Sequence, residues 1–211
     1  ADSLDVWSNQ SSFLLDEDGK PSFVAGVPPD YFSKTGQRWG NPIYDWDYLK
    51  ENDYKFWVER IKYNAKLFDM IRIDHFRAFD TYWSIPSSLE TAIEGEWLEA
   101  PGYEALNKII SSVPDIELIA EDLGDLRPEV LELRDHFSLK GMLIAQYNFN
   151  TQSMDHDYMG EKNILIYSGT HDNQTSVGWY KSHDRKTRKN ISRKLKNLGY
   201  KKGSFSDKFI N

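Results

Sequence analysis

Four short apolar runs, at residues 68–73, 116–120, 141–147 and 163–167, have the length of buried strands rather than of helices. Around them the apolar spacing changes to that of helices. Trp57, Ile61, Ala65 and Phe68 recur at intervals of four, four and three, which predicts a helix with Glu59, Arg60, Lys62 and Lys66 facing water. Leu106, Ile109, Ile110 and Val113 mark a second helix over 103–113. Pro128 suits the first turn of a third, running to about His136, because that position needs no N–H. Two more follow, around 175–183 and 184–198, the second stopped by Gly199.

Strand and helix thus alternate about four times, the pattern of parallel β/α units. A complete eight-stranded barrel takes ~250 residues, and this chain has 211. The expected fold class is α/β: a segment of a (β/α)8 TIM barrel, about four β/α units, with long loop insertions. Turn signals at Asp18-Gly19, Pro28-Pro29 and Asn41-Pro42 make residues 1–47 a loop-rich segment, and residues 48–211 the partial barrel. The Glu-rich stretch 87–102, closed by Pro101-Gly102, reads as an insertion.

Three carboxylate motifs follow the apolar runs. They are Arg72-Ile73-Asp74-His75-Phe76-Arg77, Ala120-Glu121-Asp122-Leu123-Gly124 and Gly169-Thr170-His171-Asp172-Asn173. Carboxylates at the C-terminal ends of parallel strands converge on the face where barrel enzymes keep their chemistry. Side chains alternate along a strand, so Arg72 and Asp74 share a face. A guanidinium beside a carboxylate favours its ionised form, as a nucleophile requires; the bland alternative is a structural pair in the barrel interior. Glu121 ends an apolar strand, where desolvation would keep a carboxyl protonated for general-acid work. Its alternative, with Asp122 and Asp125, is to stabilise a helix N-terminus. Asp172 reads either as an acceptor for substrate hydroxyls or as a helix N-cap. Together the three supply the parts of retaining glycoside chemistry.

Composition narrows the partners. The net charge of −7 disfavours nucleic acid and anionic membranes. The basic run 181–202 is expected to be a solvated helix face, since Ile191, Leu195 and Leu198 share its other side. With no cysteine, disulfides and thiolate metal sites are excluded. The first residues carry no basic stretch followed by an apolar one, and no run of ~20 apolar residues occurs, which predicts a soluble, cytoplasmic protein without a membrane partner. Aromatic residues make up 14% of the chain, and Tyr31, Phe32, Trp39, Tyr44 and Trp46 fall in a stretch without helical or strand period. Rings on loops suit ligands with apolar faces and hydroxyl rims, such as sugars.

Longer stretches carry a resemblance. Residues 24–33 (Val-Ala-Gly-Val-Pro-Pro-Asp-Tyr-Phe-Ser), 36–42 (Gly-Gln-Arg-Trp-Gly-Asn-Pro), Tyr82-Trp83 and the three carboxylate motifs are together similar to the 4-α-glucanotransferases called amylomaltases or disproportionating enzymes. The similarity is nearly continuous from residue 1 to about residue 181. It implies that Asp74 is the nucleophile, Glu121 the acid/base, and Asp172 the group that stabilises the transition state through sugar hydroxyls, with His171 and Arg72 assisting. The loop over 28–32, with Tyr31 and Phe32, resembles the flap on the acceptor side, and Trp39 matches a stacking aromatic. Gln37, His75 and Asn173 lie in matched motifs and are expected to bind substrate. The implied donors are maltooligosaccharides and other α-1,4-glucans, the acceptors glucose or glucan, with no cofactor and no metal.

The chain departs from the family pattern at Gln174, where an acidic residue is usual, and at Ala78, where glycine is frequent. Chains of the family are more than twice this length, so upstream strands, including an aspartate that binds donor sugar, and the last strand are expected to be missing. Two other readings compete: a non-catalytic maltooligosaccharide-binding fragment, and a metal-dependent barrel hydrolase using Asp74-His75 and His171-Asp172. No His-x-His or His-x3-His pair supports the metal reading.

Overall fold

The computed structural model describes all residues except 31, 32, 125, 151–162, 198, 201, 202, 206–208, 210 and 211. The described residues form two compact units, Ala1–Leu139 and Lys140–Asn211.

The first unit opens with α1 (Leu4–Ser8), a 3-10 turn at Gln10–Ser12, β1 (Phe23–Val27) and β2 (Gln37–Pro42). The loop-rich segment predicted for residues 1–47 thus holds an antiparallel hairpin, with Val27 opposite Gln37. β2 has little apolar character, and backbone pairing rather than burial makes it a strand, so no pattern announces it. Then come α2 (Trp46–Glu51) and α3 (Lys55–Asn64), joined through Asp53 and Tyr54, both left-handed. Asp45 caps α2 by accepting from the Tyr48 N–H at 2.9 Å.

α3 corrects part of the predicted helix. It ends at Asn64, so the spacing that placed Phe68 inward no longer applies, and Phe68 is exposed. Arg60, expected to face water, lies 4.4 Å over the Phe56 ring and 2.5 Å from Asp5. An aromatic cluster of Phe13, Tyr44, Phe56 and Trp57 gives its guanidinium a π-face.

β3 (Met70–Ile73) leads through a 3-10 turn at Phe76–Phe79 into β4 (Thr81–Pro86) and β5 (Glu96–Glu99). The stretch 87–102 is therefore no bare insertion: it carries β5, paired antiparallel with β4 at Trp83 and Trp97. β2, β1, β4 and β5 form one antiparallel sheet in that order. Next follow α4 (Gly102–Ser112), β6 (Glu117–Ala120) and α5 (Pro128–His136), close to their predicted bounds. β3 and β6 pair in parallel, from Met70 with Glu117 to Ile73 with Ala120. Ile73, Phe76, Phe79, Leu106, Ile109, Leu118 and Leu133 form the core beneath this pair.

The second unit contains β7 (Gly141–Ile144), α6 (Ala145–Asn150), β8 (Ile164–Tyr167), α7 (Ser176–Ser182) and α8 (Arg185–Asn197). The predicted strand over 141–147 stops at Ile144 and continues as helix. A short apolar run suits either state, and the chain context decides. β7 and β8 pair in parallel. Ile191 and Leu195 of α8 are buried with Trp179, so the basic run is a solvated helix face, as its spacing predicts. Leu198 lies outside the described residues.

Parallel pairs separated by helices give the expected mixed α/β class, and among the described residues no barrel closes. No described helix is long and apolar enough to cross a membrane.

Candidate active site

In the first unit, β3 and β6 end side by side, so Asp74 and Glu121 are the first residues past adjacent parallel strand ends. Two main-chain hydrogen bonds continue beyond the ladder: Glu121 N–H donates to Ile73 O, and Phe76 N–H donates to Glu121 O, each at 3.0 Å. These bonds fix the separation of the two backbones that carry the carboxylates. The side chains then diverge in environment.

Asp74 is open, with 68% of its side chain exposed, and its Oδ1 lies 2.6 Å from Arg72 Nη2. Arg72 and Asp74 meet on one side, as alternation along β3 predicts. The exposure of Asp74 argues against a pair buried only for structure. Glu121 is half-buried, and its carboxyl is pushed up to about 7. Burial is the main cause, and the negative charge of Asp74 adds to it. Arg72 and a hydrogen bond from the His75 main-chain N–H pull the other way, and Asp122 contributes a small rise. A carboxyl with this balance keeps its proton near neutrality and can donate it.

Asp122 is held by a residue near the C-terminal end of α5. Its carboxylate accepts from Arg134 Nη1 at 2.5 Å, in the last turn of α5. Asp125 lies outside the described residues.

The hairpin of β1 and β2 contributes the remaining groups of this unit. Trp39 is exposed on β2, and its ring meets the His75 ring edge-on at 4.8 Å. Its Nε1 donates to Gln37 Oε1 at 3.2 Å. His75 itself is left-handed, with φ of 46°. Burial and Arg77 hold its imidazole below the usual range, against the opposing pull of Asp74, and its buried Nε2 has no partner among the described residues. Four predicted residues, Gln37, Trp39, His75 and Asp74, are thus brought into one neighbourhood with Glu121. Tyr31 and Phe32 lie outside the described residues. Asp30 closes the preceding turn by accepting from Ser33 N–H at 2.7 Å.

In the second unit, the turn after β8 presents His171 and Asp172, both exposed, with His171 Nε2 3.4 Å from Asp172 Oδ2. Asp172 is no N-cap, because Thr175 takes that role by accepting from Gly178 N–H at 3.1 Å. Asn173 holds the turn: its Oδ1 accepts from Thr170 N–H at 2.8 Å and Thr170 Oγ1 at 3.0 Å, while its Nδ2 donates to Tyr147 Oη at 3.1 Å. Its amide is engaged in the protein. Buried Gln146 donates to Gln174 O at 2.9 Å, so Gln174 contributes its main chain here.

Tyr147, Gln146 and Arg134 were not singled out by sequence reasoning. Tyr147 lies in a run whose apolar character predicts strand, and Arg134 meets Asp122 only through tertiary packing. Ala78 avoids the left-handed region, so its side chain is accommodated in the 3-10 turn. Among the described residues no group of three metal-ligating side chains assembles.

Comparison with known proteins gives a single direction. The family model described as 4-alpha-glucanotransferase matches residues 1–211. A 4-alpha-glucanotransferase of Thermus thermophilus is 48% identical over 185 residues, covering 86% of this chain and 37% of that protein. One of Streptococcus pneumoniae is 45% identical over 195 residues, covering 91% and 39%. An amylomaltase from Streptococcus agalactiae, solved in complex with acarbose, superposes with a TM-score of 0.87 at 36% identity, covering all of this chain and 43% of that one. The chain therefore spans less than half the length of the relatives it matches.

Proposed function

The chain belongs to the 4-alpha-glucanotransferase family, and on that premise we propose that its full-length protein transfers α-1,4-glucan segments with retention at the anomeric carbon. Asp74 Oδ attacks that carbon and forms a glycosyl ester, while the bond to the leaving 4-oxygen breaks. Glu121 gives its proton to that oxygen. The acceptor's 4-hydroxyl then loses its proton to Glu121, its oxygen attacks the same carbon, and Asp74 leaves as carboxylate. Asp172 and His171 hold sugar hydroxyls, Arg72 steadies Asp74, and Trp39 offers a stacking face.

One observation supports this reading above the rest: two carboxyl groups in contrasting surroundings at adjacent strand ends, Asp74 open and ion-paired, Glu121 pushed up to about 7. Their coupling suits a two-step reaction. While Asp74 is charged it favours the protonated acid. Once esterified it has no charge, and Glu121 becomes the better base. Maltooligosaccharides are the proposed donors, glucose or glucan the acceptors. Transfer outcompetes hydrolysis when the acceptor excludes water, a task assigned to the loop over 28–32.

The test is disproportionation of maltotriose by the full-length protein, read as glucose together with longer oligosaccharides. Asp74→Asn and Glu121→Gln each lower the rate ~10³-fold or more. Cleavage of a glycosyl fluoride, whose leaving group needs no proton, returns in Glu121→Gln and not in Asp74→Asn. Near-normal transfer in either variant overturns the roles. Binding of maltooligosaccharides without products supports the fragment reading instead, and loss of activity with EDTA the metal-hydrolase one.

A further inference from the structure

Gln146 is a long polar side chain with only 2% of it exposed, and strand register sets its place. β7 and β8 run in parallel with Ile144 opposite Tyr167, so Gln146 and Gly169 each stand two residues past paired strand ends. Gln146 lies in the first turn of α6, which begins directly after β7. Its Nε2 donates to the Gln174 carbonyl at 2.9 Å. The same nitrogen covers Gly169, where a β-carbon would come within 2.7 Å of it. One buried amide thus touches both flanks of the segment 169–174. Between these flanks the Asn173 N–H donates to Thr170 O at 3.1 Å, closing a four-residue turn with His171 and Asp172 at its central positions. A donor buried this deeply needs its acceptor, so the Gln174 carbonyl is held at a fixed point.

We propose that Gln146 is a positioning residue for Asp172: by gripping Gly169 and Gln174 it fixes the base of the turn whose corner carries the His171-Asp172 pair. The bonds between Asn173 and Thr170 close the turn and travel with it, so they set its shape rather than its place on the strand ends. Both corner side chains are exposed and lie 3.4 Å apart, so the backbone of the turn decides where they point. The amide reaches across the base because a glycine stands opposite it. A side chain at 169 would push the amide off the Gln174 carbonyl. A group that must meet sugar hydroxyls in the transition state tolerates little displacement, and a shift of about 1 Å costs on the order of 10²-fold in rate.

The proposal rests on the reading of Asp172 as a transition-state group, and its test has two readouts that fail separately. Both use the full-length protein and Gln146→Met, which keeps the length of the side chain and removes its amide. The first is hydrogen exchange of the peptide spanning 168–175, read by mass spectrometry without substrate. Gln146→Met is expected to exchange ~10-fold faster there than wild type, with the peptide over 116–124 unchanged. The second is transfer from α-maltosyl fluoride, an activated donor that keeps slow variants measurable. There kcat is expected to fall ~10-fold to ~30-fold with KM within about twofold. In an Asp172→Ala background the same substitution is expected to change kcat less than about twofold, because its effect runs through Asp172. A merely structural loss lowers the rate equally in both backgrounds, and that result overturns the proposal. So does wild-type exchange over 168–175. If Gln146→Met does not fold, Gly169→Ala displaces the amide from the other side and carries the same two expectations. Near-normal transfer by Asp172→Ala alone overturns the role of Asp172, and the exchange readout still decides whether Gln146 holds the turn.

Discussion

Asp122 and Arg134 form an ion pair with 2.5 Å between Oδ2 and Nη1, and only 4% of the aspartate side chain and 16% of the arginine's is exposed. Because Asp122 directly follows Glu121, this pair ties the strand end that carries Glu121 to α5. Removing the arginine takes an ion-pair partner away from a desolvated carboxylate. Arg134→Leu is expected to lower stability by about 3 kcal/mol, measured by urea unfolding. A change under about 0.5 kcal/mol would mean that water already solvates the aspartate.

The pH response follows from Glu121. In the general-acid role proposed for it, Glu121 must be protonated, so kcat/KM is expected to fall as pH rises through about 7. Asp74→Asn removes a negative neighbour and should lower the Glu121 midpoint below 7, read by carboxyl 13C titration. Stability carries the same sign. A carboxyl raised above its unfolded value contributes fully below that value and loses its contribution as pH climbs through 7. Glu121→Gln should therefore gain stability relative to wild type at pH 8 and not at pH 4. Equal differences at both values would contradict the raised carboxyl.

Tyr147 steadies the turn that presents Asp172, through its hydroxyl and the Asn173 amide. Tyr147→Phe deletes one hydrogen bond to a half-open group, worth about 1 kcal/mol, and is expected to reduce kcat about fivefold in the full-length protein. Asn173→Ala also releases Thr170 and should cost more. A Tyr147→Phe rate equal to wild type would leave the turn held by Thr170 alone.

Gly102 opens α4 against the 3-10 turn that follows Asp74. A β-carbon there would collide with the Phe79 carbonyl oxygen and press on Leu133 Cδ2 at 2.9 Å. Backbone cannot yield as a side-chain tip can, so Gly102→Ala should cost roughly 1–3 kcal/mol in thermal or urea unfolding. A neutral effect would mean that α4 slides freely over the turn.

The helices and parallel strands of this chain were legible because burial writes itself into spacing. Leu106 and Ile109 recur at the period of α4, and Ile191 and Leu195 at that of α8. Pro128 marked the start of α5 by what it cannot donate. Where the periodicity has no burial behind it, the reading failed: β2 is held by pairing, β5 lies in a Glu-rich stretch, and Phe68 falls past the helix end.

Residue order is enough for the chemical inventory: which carboxylates exist, that Asp74 and Glu121 follow apolar strands, and that Arg72 shares a face with Asp74. Such facts depend on residue identity and on the fixed period of a strand. Tertiary structure alone decided how that inventory is divided. It put Asp74 in the open beside Arg72 and Glu121 in a drier place beside Asp74, turned His75 left-handed, and committed Asp122 to Arg134 and Asn173 to Tyr147. The reason is physical: protonation and hydrogen bonding depend on distances between groups far apart in the chain, and only packing sets those distances.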